Sequence, residues 1–354
     1  MMYFTLFFSL ILGACATWPL ETAVVENPQS NPEMVESQRA EHHRAVASEE
    51  LYVANELTGR MLFPSGIDGP AMDREGNLYV ANFQSKGTIG RKAMYGDFVL
   101  WQTLPAVLDP SNSASLPRQG VAASLRFDAR NILYVADYVN HRVLKVNPRT
   151  TDPVEIHFSA EQAGVKMNQP NDIAIARDGT LYLSDPGWNS RDEKRGSIWR
   201  INPHGAAEQI VKDLYNPNGI ELSPDETKLY FTESATSKWV GPPEAKEFIY
   251  VLDLNSGKDP PQLFAEYPGL NLDGLRSDSA GNIFVAVITG GRVDQWSPAG
   301  QRLREIKLNG EKPKNIGFGG PDGCTAYVTQ GDGGYVESFR VDNPGRDWLL
   351  LHGK

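Results

Sequence analysis

Asp73-Arg-Glu-Gly-Asn-Leu-Tyr-Val-Ala81 reads as a turn followed by a strand, and the chain writes the same phrase six times. The other copies are Asp128-Ala-Arg-Asn-Ile-Leu-Tyr-Val-Ala136, Arg177-Asp-Gly-Thr-Leu-Tyr-Leu-Ser184, Pro224-Asp-Glu-Thr-Lys-Leu-Tyr-Phe-Thr232, Asp278-Ser-Ala-Gly-Asn-Ile-Phe-Val-Ala286 and Pro321-Asp-Gly-Cys-Thr-Ala-Tyr-Val-Thr329. Each holds a turn rich in Asp, Gly or Asn, followed by a strand of aromatic and β-branched residues, which suit a pleated surface. The aromatic anchors Tyr79, Tyr134, Tyr182, Tyr230, Phe284 and Tyr327 are spaced by 55, 48, 48, 54 and 43 residues. A unit of that length holds about four short strands. All four are legible in the third unit: Ile173–Ala176, Leu181–Ser184, Ser197–Ile201 and Glu208–Val211. No segment of comparable length keeps a helical period. The repeat predicts an all-β chain folded as a six-bladed β-propeller. A sandwich with as many strands gives no reason for six spaced copies.

The rest of the composition narrows the function. In 354 residues, 40% are hydrophobic and 22% charged, as in an ordinary globular protein. The net charge of −10, without a basic run, opposes binding to a phosphate backbone, so nucleic acid is not expected as a partner. Two cysteines, Cys15 and Cys324, exclude a disulfide framework and a zinc site built on cysteine pairs.

Residues 1–14, MMYFTLFFSLILGA, carry no charged side chain and are too short to span a bilayer, which fits a secretory signal. The run ends Leu12-Gly13-Ala14-Cys15, which resembles the lipobox of bacterial lipoproteins and implies cleavage before Cys15 and lipidation of its thiol. No Lys or Arg precedes the apolar stretch, a departure from the usual pattern. Residues 15–50 read as a flexible tether, and 51–354 as the propeller. The expectation is an exported protein, anchored to a membrane through Cys15 or secreted.

The entry to each unit's first strand carries the functional signal. Stepping back 11 residues from the aromatic gives Asp68, Ala123, Asn171 and Asp273; allowing one extra turn residue in the fourth and sixth units gives Asn218 and Asn315. In a propeller these positions converge on the axis at one face. Asp and Asn before Gly are also ordinary turn residues that bond their own backbone. Recurrence at one phase of six repeats favours a ring of oxygen donors. Two carboxylates with neutral amides, lacking Cys and His, suit a hard cation such as Ca2+ or another divalent metal.

The strings Gln-Pro-Asn-Asp172, Asn-Pro-Asn-Gly219 followed by Leu-Ser-Pro-Asp225, Leu-Asp-Gly274 and Lys-Pro-Lys-Asn-Ile-Gly-Phe-Gly-Gly320 resemble the regucalcin/gluconolactonase family, over residues from about 60 to about 340. Diisopropylfluorophosphatase and paraoxonase are more distant relatives. The resemblance implies a six-bladed propeller with a catalytic divalent metal, usually calcium, and hydrolysis of lactones. It places the metal ligands on Asp68, Asn171, Asn218 and Asp273, although the family usually has Glu at the position of Asp68. A substrate-holding Arg of regucalcin is replaced here by Gln169, and Asn315 is implied to stand behind the ligands.

The chemistry that follows is a calcium-dependent opening of a lactone ring, with Asp273 as base toward water or as nucleophile. Asp185, at the end of the third unit's second strand, is a second candidate carboxylate; Asn82, Asp137 and Glu233 occupy the equivalent place elsewhere. A turn role before Pro186 is its alternative reading. Gln169, Asp185 and Asn315 are the expected substrate contacts, and the loops Trp188–Lys194 and Trp239–Glu247 the expected source of selectivity. Two rival functions remain open: a phosphotriesterase-like or other ester hydrolase on the same propeller, and a non-enzymatic binding propeller stabilised by metal.

Overall fold

A computed structural model of the chain describes residues 50–353, apart from 65, 109–115, 151, 188–193, 234–245 and 258. Cys15, the leader and the tether therefore lie outside the described residues, as do Trp188 and most of both selectivity loops. Six four-stranded antiparallel sheets follow one another along the chain, each in the order first, second, third, fourth strand. Their first strands are Asp68–Met72, Ala122–Phe127, Ile173–Ile175, Pro217–Leu222, Leu272–Ser277 and Pro313–Gly319. Each packs against the first strands of both neighbouring blades, so the six close a ring around one axis. The six-bladed propeller expected from the repeat is the fold.

The repeated phrase does what its residues dictate. Asp73, Asp128 and Asp278 accept the backbone N–H of Asn77, Ile132 and Asn282, at 2.8, 2.9 and 2.8 Å, and so lock the turn between first and second strands. The aromatic that follows packs between blades: Tyr79, Tyr134, Tyr182, Tyr230 and Phe284 are buried. The sixth blade has only three strands from the C-terminal part of the chain. Asn55 and Glu56 supply the fourth by pairing with Ser338 and Glu337. Joining the two ends of the body in one sheet locks the circle without an unpaired seam.

Hydroxyls then tie neighbouring blades together near the axis. Ser184 Oγ accepts from Asp172 N at 3.0 Å and donates to the carbonyl of Asn218 in the next blade. Thr232 Oγ1 repeats the stitch one blade on, accepting from Gly219 N at 2.9 Å and donating to Asp273 O at 3.0 Å. The ring positions of blades 4 and 5 are thereby fixed from behind.

The channel beneath them is filled. Asp172 bonds Arg126 Nη2 and Arg276 Nη1, both at 2.9 Å, and all three side chains are buried. At the turn end of the first strands, Arg346 of the helix Arg346–His352 bonds Ile175 O and Glu226 at 2.8 Å, and Glu221 at 3.3 Å. These side chains close the axis at that end.

Candidate active site

Strand pairing shows which residues are equivalent around the axis. The residue opposite each aromatic is Ala71, Arg126, Ala174, Glu221, Arg276 or Gly317. Three residues earlier stand Asp68, Ala123, Asn171, Asn218, Asp273 and Lys314. Five members agree with the ring read from spacing. The sixth is Lys314, one residue before the expected Asn315. The cause is turn length: Gly317 pairs with Tyr327 across a turn two residues longer than the one joining Arg276 to Phe284.

Local backbone explains why these side chains leave the sheet. The pairing register slips between Ala122 and Ser124, Pro217 and Ile220, Leu272 and Leu275, and Pro313 and Ile316, and these slips enclose Ala123, Asn218, Asp273 and Lys314. Asp68 borders the same irregularity in blade 1. A β-bulge re-aims the residue it contains, which is how a strand entry points at the axis. Gly219 and Gly274 follow two of the ring residues because neighbouring strands press close: a Cβ on Gly274 would lie 2.3 Å from Asn315 Oδ1.

Asp68, Asn218, Asp273 and Lys314 form one electrostatic cluster. Lys314 Nζ is 3.1 Å from Asp273 Oδ2. Burial raises the Asp273 carboxyl above its ordinary range, opposed by the Lys314 ammonium and by a hydrogen bond from the Asn218 side chain. Burial also pushes Asp68 up to about 7, helped by the negative charge of Asp273 and opposed by Lys314, Gly69 N–H and Asn315. Asn218 Oδ1 is buried without a hydrogen-bond partner, as is Gln169 Oε1. Asn171 is tied through its backbone, N–H to Ser184 O at 2.8 Å.

Two expected substrate contacts are engaged in holding the site. Asp185 is fully buried, and its oxygens accept from Asn168 N and Gln169 N at 2.8 Å and from Gly187 N at 3.3 Å. It pins the loop that delivers Gln169 and Asn171. Asp137 and Glu233 do the same for Val121 N and Tyr215 N at 3.0 and 2.7 Å, so in three blades this position anchors a loop 16 to 18 residues back along the chain. Asn315 lies below the ring, its Oδ1 accepting from Arg276 Nη2 at 2.8 Å and Ile316 N at 2.9 Å.

The donor set suits a hard cation in kind. Two carboxylates and the unpartnered Asn218 Oδ1 offer oxygen only. Among the described residues no group of three or more His, Cys, Asp or Glu is placed to hold a metal ion, so a cation here would need amide oxygens beside the two carboxylates. Asp68, Asn218 and Asp273, with Asn171 as the neighbouring ring member, would be the residues to hold one.

The fold and site define a six-bladed propeller with carboxylate and amide side chains gathered at one end of its axis. Residues 108–332 match the SMP-30/Gluconolactonase/LRE-like region, and the chain belongs to that family. Over 213 residues it is 29% identical to a gluconolactonase of Zymomonas mobilis, covering 56% of this chain and 57% of the relative. It is 33% identical over 145 residues to a 6-deoxy-6-sulfogluconolactonase of Pseudomonas putida, covering 40% and 47%. The chain thus spans about half the length of the curated relatives it matches. Among solved structures it resembles a Xanthomonas campestris gluconolactonase (TM-score 0.64, 21% identity, 84% of this chain and 92% of that one). It also resembles a calcium-binding regucalcin of Agrobacterium tumefaciens (TM-score 0.61, 19% identity, 81% and 96%). At these identities the structural likeness speaks for the fold.

Proposed function

We propose that the protein hydrolyses the ring ester of a lactone, with Asp273 as the reacting carboxylate. The observation that carries this reading is the Asp273 carboxylate, buried at the strand-entry end of the axis among Asp68, Asn218 and Lys314. The names of the relatives support the substrate class. Asp273 takes a proton from water as the water oxygen adds to the lactone carbonyl carbon. The ring C–O bond then breaks, and the ring oxygen leaves as a hydroxyl carrying the proton, so lactone and water give one hydroxy acid. Asn218 donates to Asp273 and fixes its orientation, while Gln169 offers an unpartnered oxygen to a substrate hydroxyl.

We assign Ca2+ or another divalent cation to Asp68, Asn171, Asn218 and Asp273; when bound, it supplies Lewis-acid stabilisation of the developing oxyanion. The Leu12-Gly13-Ala14-Cys15 string supports export and a lipid tether at Cys15. Acid release from a panel of aldonolactones, beside a panel of phosphotriesters, tests the assignment. Lactone opening that falls with chelator and returns with calcium is expected; a preference for phosphotriesters overturns it.

A further inference from the structure

The sixth ring position is the anomaly of this site. Five equivalent positions carry Asp68, Ala123, Asn171, Asn218 and Asp273, anionic or neutral, and the last carries an ammonium. Lys314 Nζ bonds Asp273 Oδ2 at 3.1 Å, and its charge acts on Asp68 as well. Its stem runs past Gly331, where an added Cβ would meet Lys314 Cγ at 3.1 Å and Cε at 3.2 Å, so the missing side chain leaves the lysine its path. The Asp273 side chain is 4% exposed and that of Lys314 34% exposed. The ammonium reaches a buried carboxylate from a side chain that is itself partly exposed.

We propose that Lys314 is the resident counter-ion of the axial ring, and that a divalent cation enters only by displacing its ammonium from Asp273. The inference rests on the assignment of Asp68, Asn218 and Asp273 as the cation's ligands. Two physical effects carry it. The Asp273 oxygen bonded to Lys314 is not free to coordinate, and the lysine reduces the ring's formal charge from two negatives to one. Affinity for a hard dication follows ligand charge, and a like charge a few ångströms away opposes entry. The ammonium swings outward along Gly331 when the cation binds.

Calorimetric titration of calcium chloride into the full chain tests this, with wild type beside Lys314→Met, Lys314→Gln and Lys314→Arg. Both neutral variants are expected to bind calcium at least about tenfold more tightly than wild type, and the arginine variant no more tightly. Metal-free Lys314→Met is expected to melt lower than wild type, because two carboxylates face each other without their cation, and to gain more from added calcium. Equal calcium affinity in wild type and a neutral variant that melts cooperatively overturns the inference, and so does absence of calcium binding in both. Lactone opening in the same samples separates the two ideas. Tighter calcium binding without acid release sinks the hydrolase reading alone, whereas acid release with equal affinities sinks the counter-ion alone.

Discussion

The hydroxyl of Thr232, on the second strand of blade 4, donates to the backbone carbonyl of Asp273, on the first strand of blade 5, at 3.0 Å. The same oxygen accepts from Gly219 N at 2.9 Å, so one side chain joins the two strands that present Asn218 and Asp273. Thr232→Val keeps the shape and removes both bonds. It leaves a buried N–H and a buried C=O unpaired, and the expected loss is about 1–3 kcal/mol by urea denaturation. Thr232→Ser is expected to retain most of the stability. Equal losses in the two variants would mean that packing, not the stitch, matters at this place.

Asp185 acts on the site through the loop it holds. Asp185→Ala removes the acceptor of three backbone amides, and a cost of about 2–4 kcal/mol is expected, together with reduced turnover, since Gln169 and Asn171 lose their anchor. Asp185→Asn keeps one acceptor oxygen and should fall between. Wild-type stability in the alanine variant would contradict this role.

The buried cation–anion network under the ring gives a larger effect. Asp172→Leu strands Arg126 and Arg276 without their shared carboxylate, and breaking such a pair costs about 3–5 kcal/mol. The midpoint of chemical unfolding reads the loss, and a shift under about 1 kcal/mol would mean that the guanidinium groups find other partners.

His157 makes one contribution to the pH dependence of stability. Its ring lies edge-on to Tyr134 at 5.1 Å, its Nε2 is buried without a partner, and burial holds its pKa below 6.5, with Lys145 and Arg130 adding to the shift. The unfolded chain therefore takes up this proton first. The stability contributed is complete above about pH 6.5 and is lost as the pH falls through the lower folded-state value. His157→Phe is expected to reduce the drop in melting temperature between pH 7.5 and pH 5. An unchanged drop would assign the acid sensitivity to other groups.

The parts of this design that depend on local chemistry could be read in the sequence. Asp73, Asp128 and Asp278 make their turns with residues two to four places on, and Tyr79 and its counterparts carry their burial in their own size and shape. Five ring positions followed from counting because four turns have one length and the fourth blade has one residue more. Lys314 escaped because the sixth turn has two more, and nothing inside Pro321–Thr329 announces where the extra residue sits. Asn315, being an amide, fitted the pattern better than the lysine beside it. The roles of Asn55 and Glu56, and of Arg346 against Glu221, join residues hundreds or more than a hundred places apart, and no periodic signal connects them. The Ser184 and Thr232 stitches had a faint signature, a hydroxyl two places after the aromatic, which Thr329 keeps in blade 6 but Ala81, Ala136 and Ala286 break in blades 1, 2 and 5.

The most direct trial of the account is the rate of acid release from a simple aldonolactone by wild type and by Asp273→Asn, at equal protein concentration and neutral pH, with folding confirmed by thermal melting. Measurable opening by wild type is expected, with a loss of at least about a hundredfold in the variant, the usual range for removing a general base. Opening at the wild-type rate by folded Asp273→Asn would contradict it.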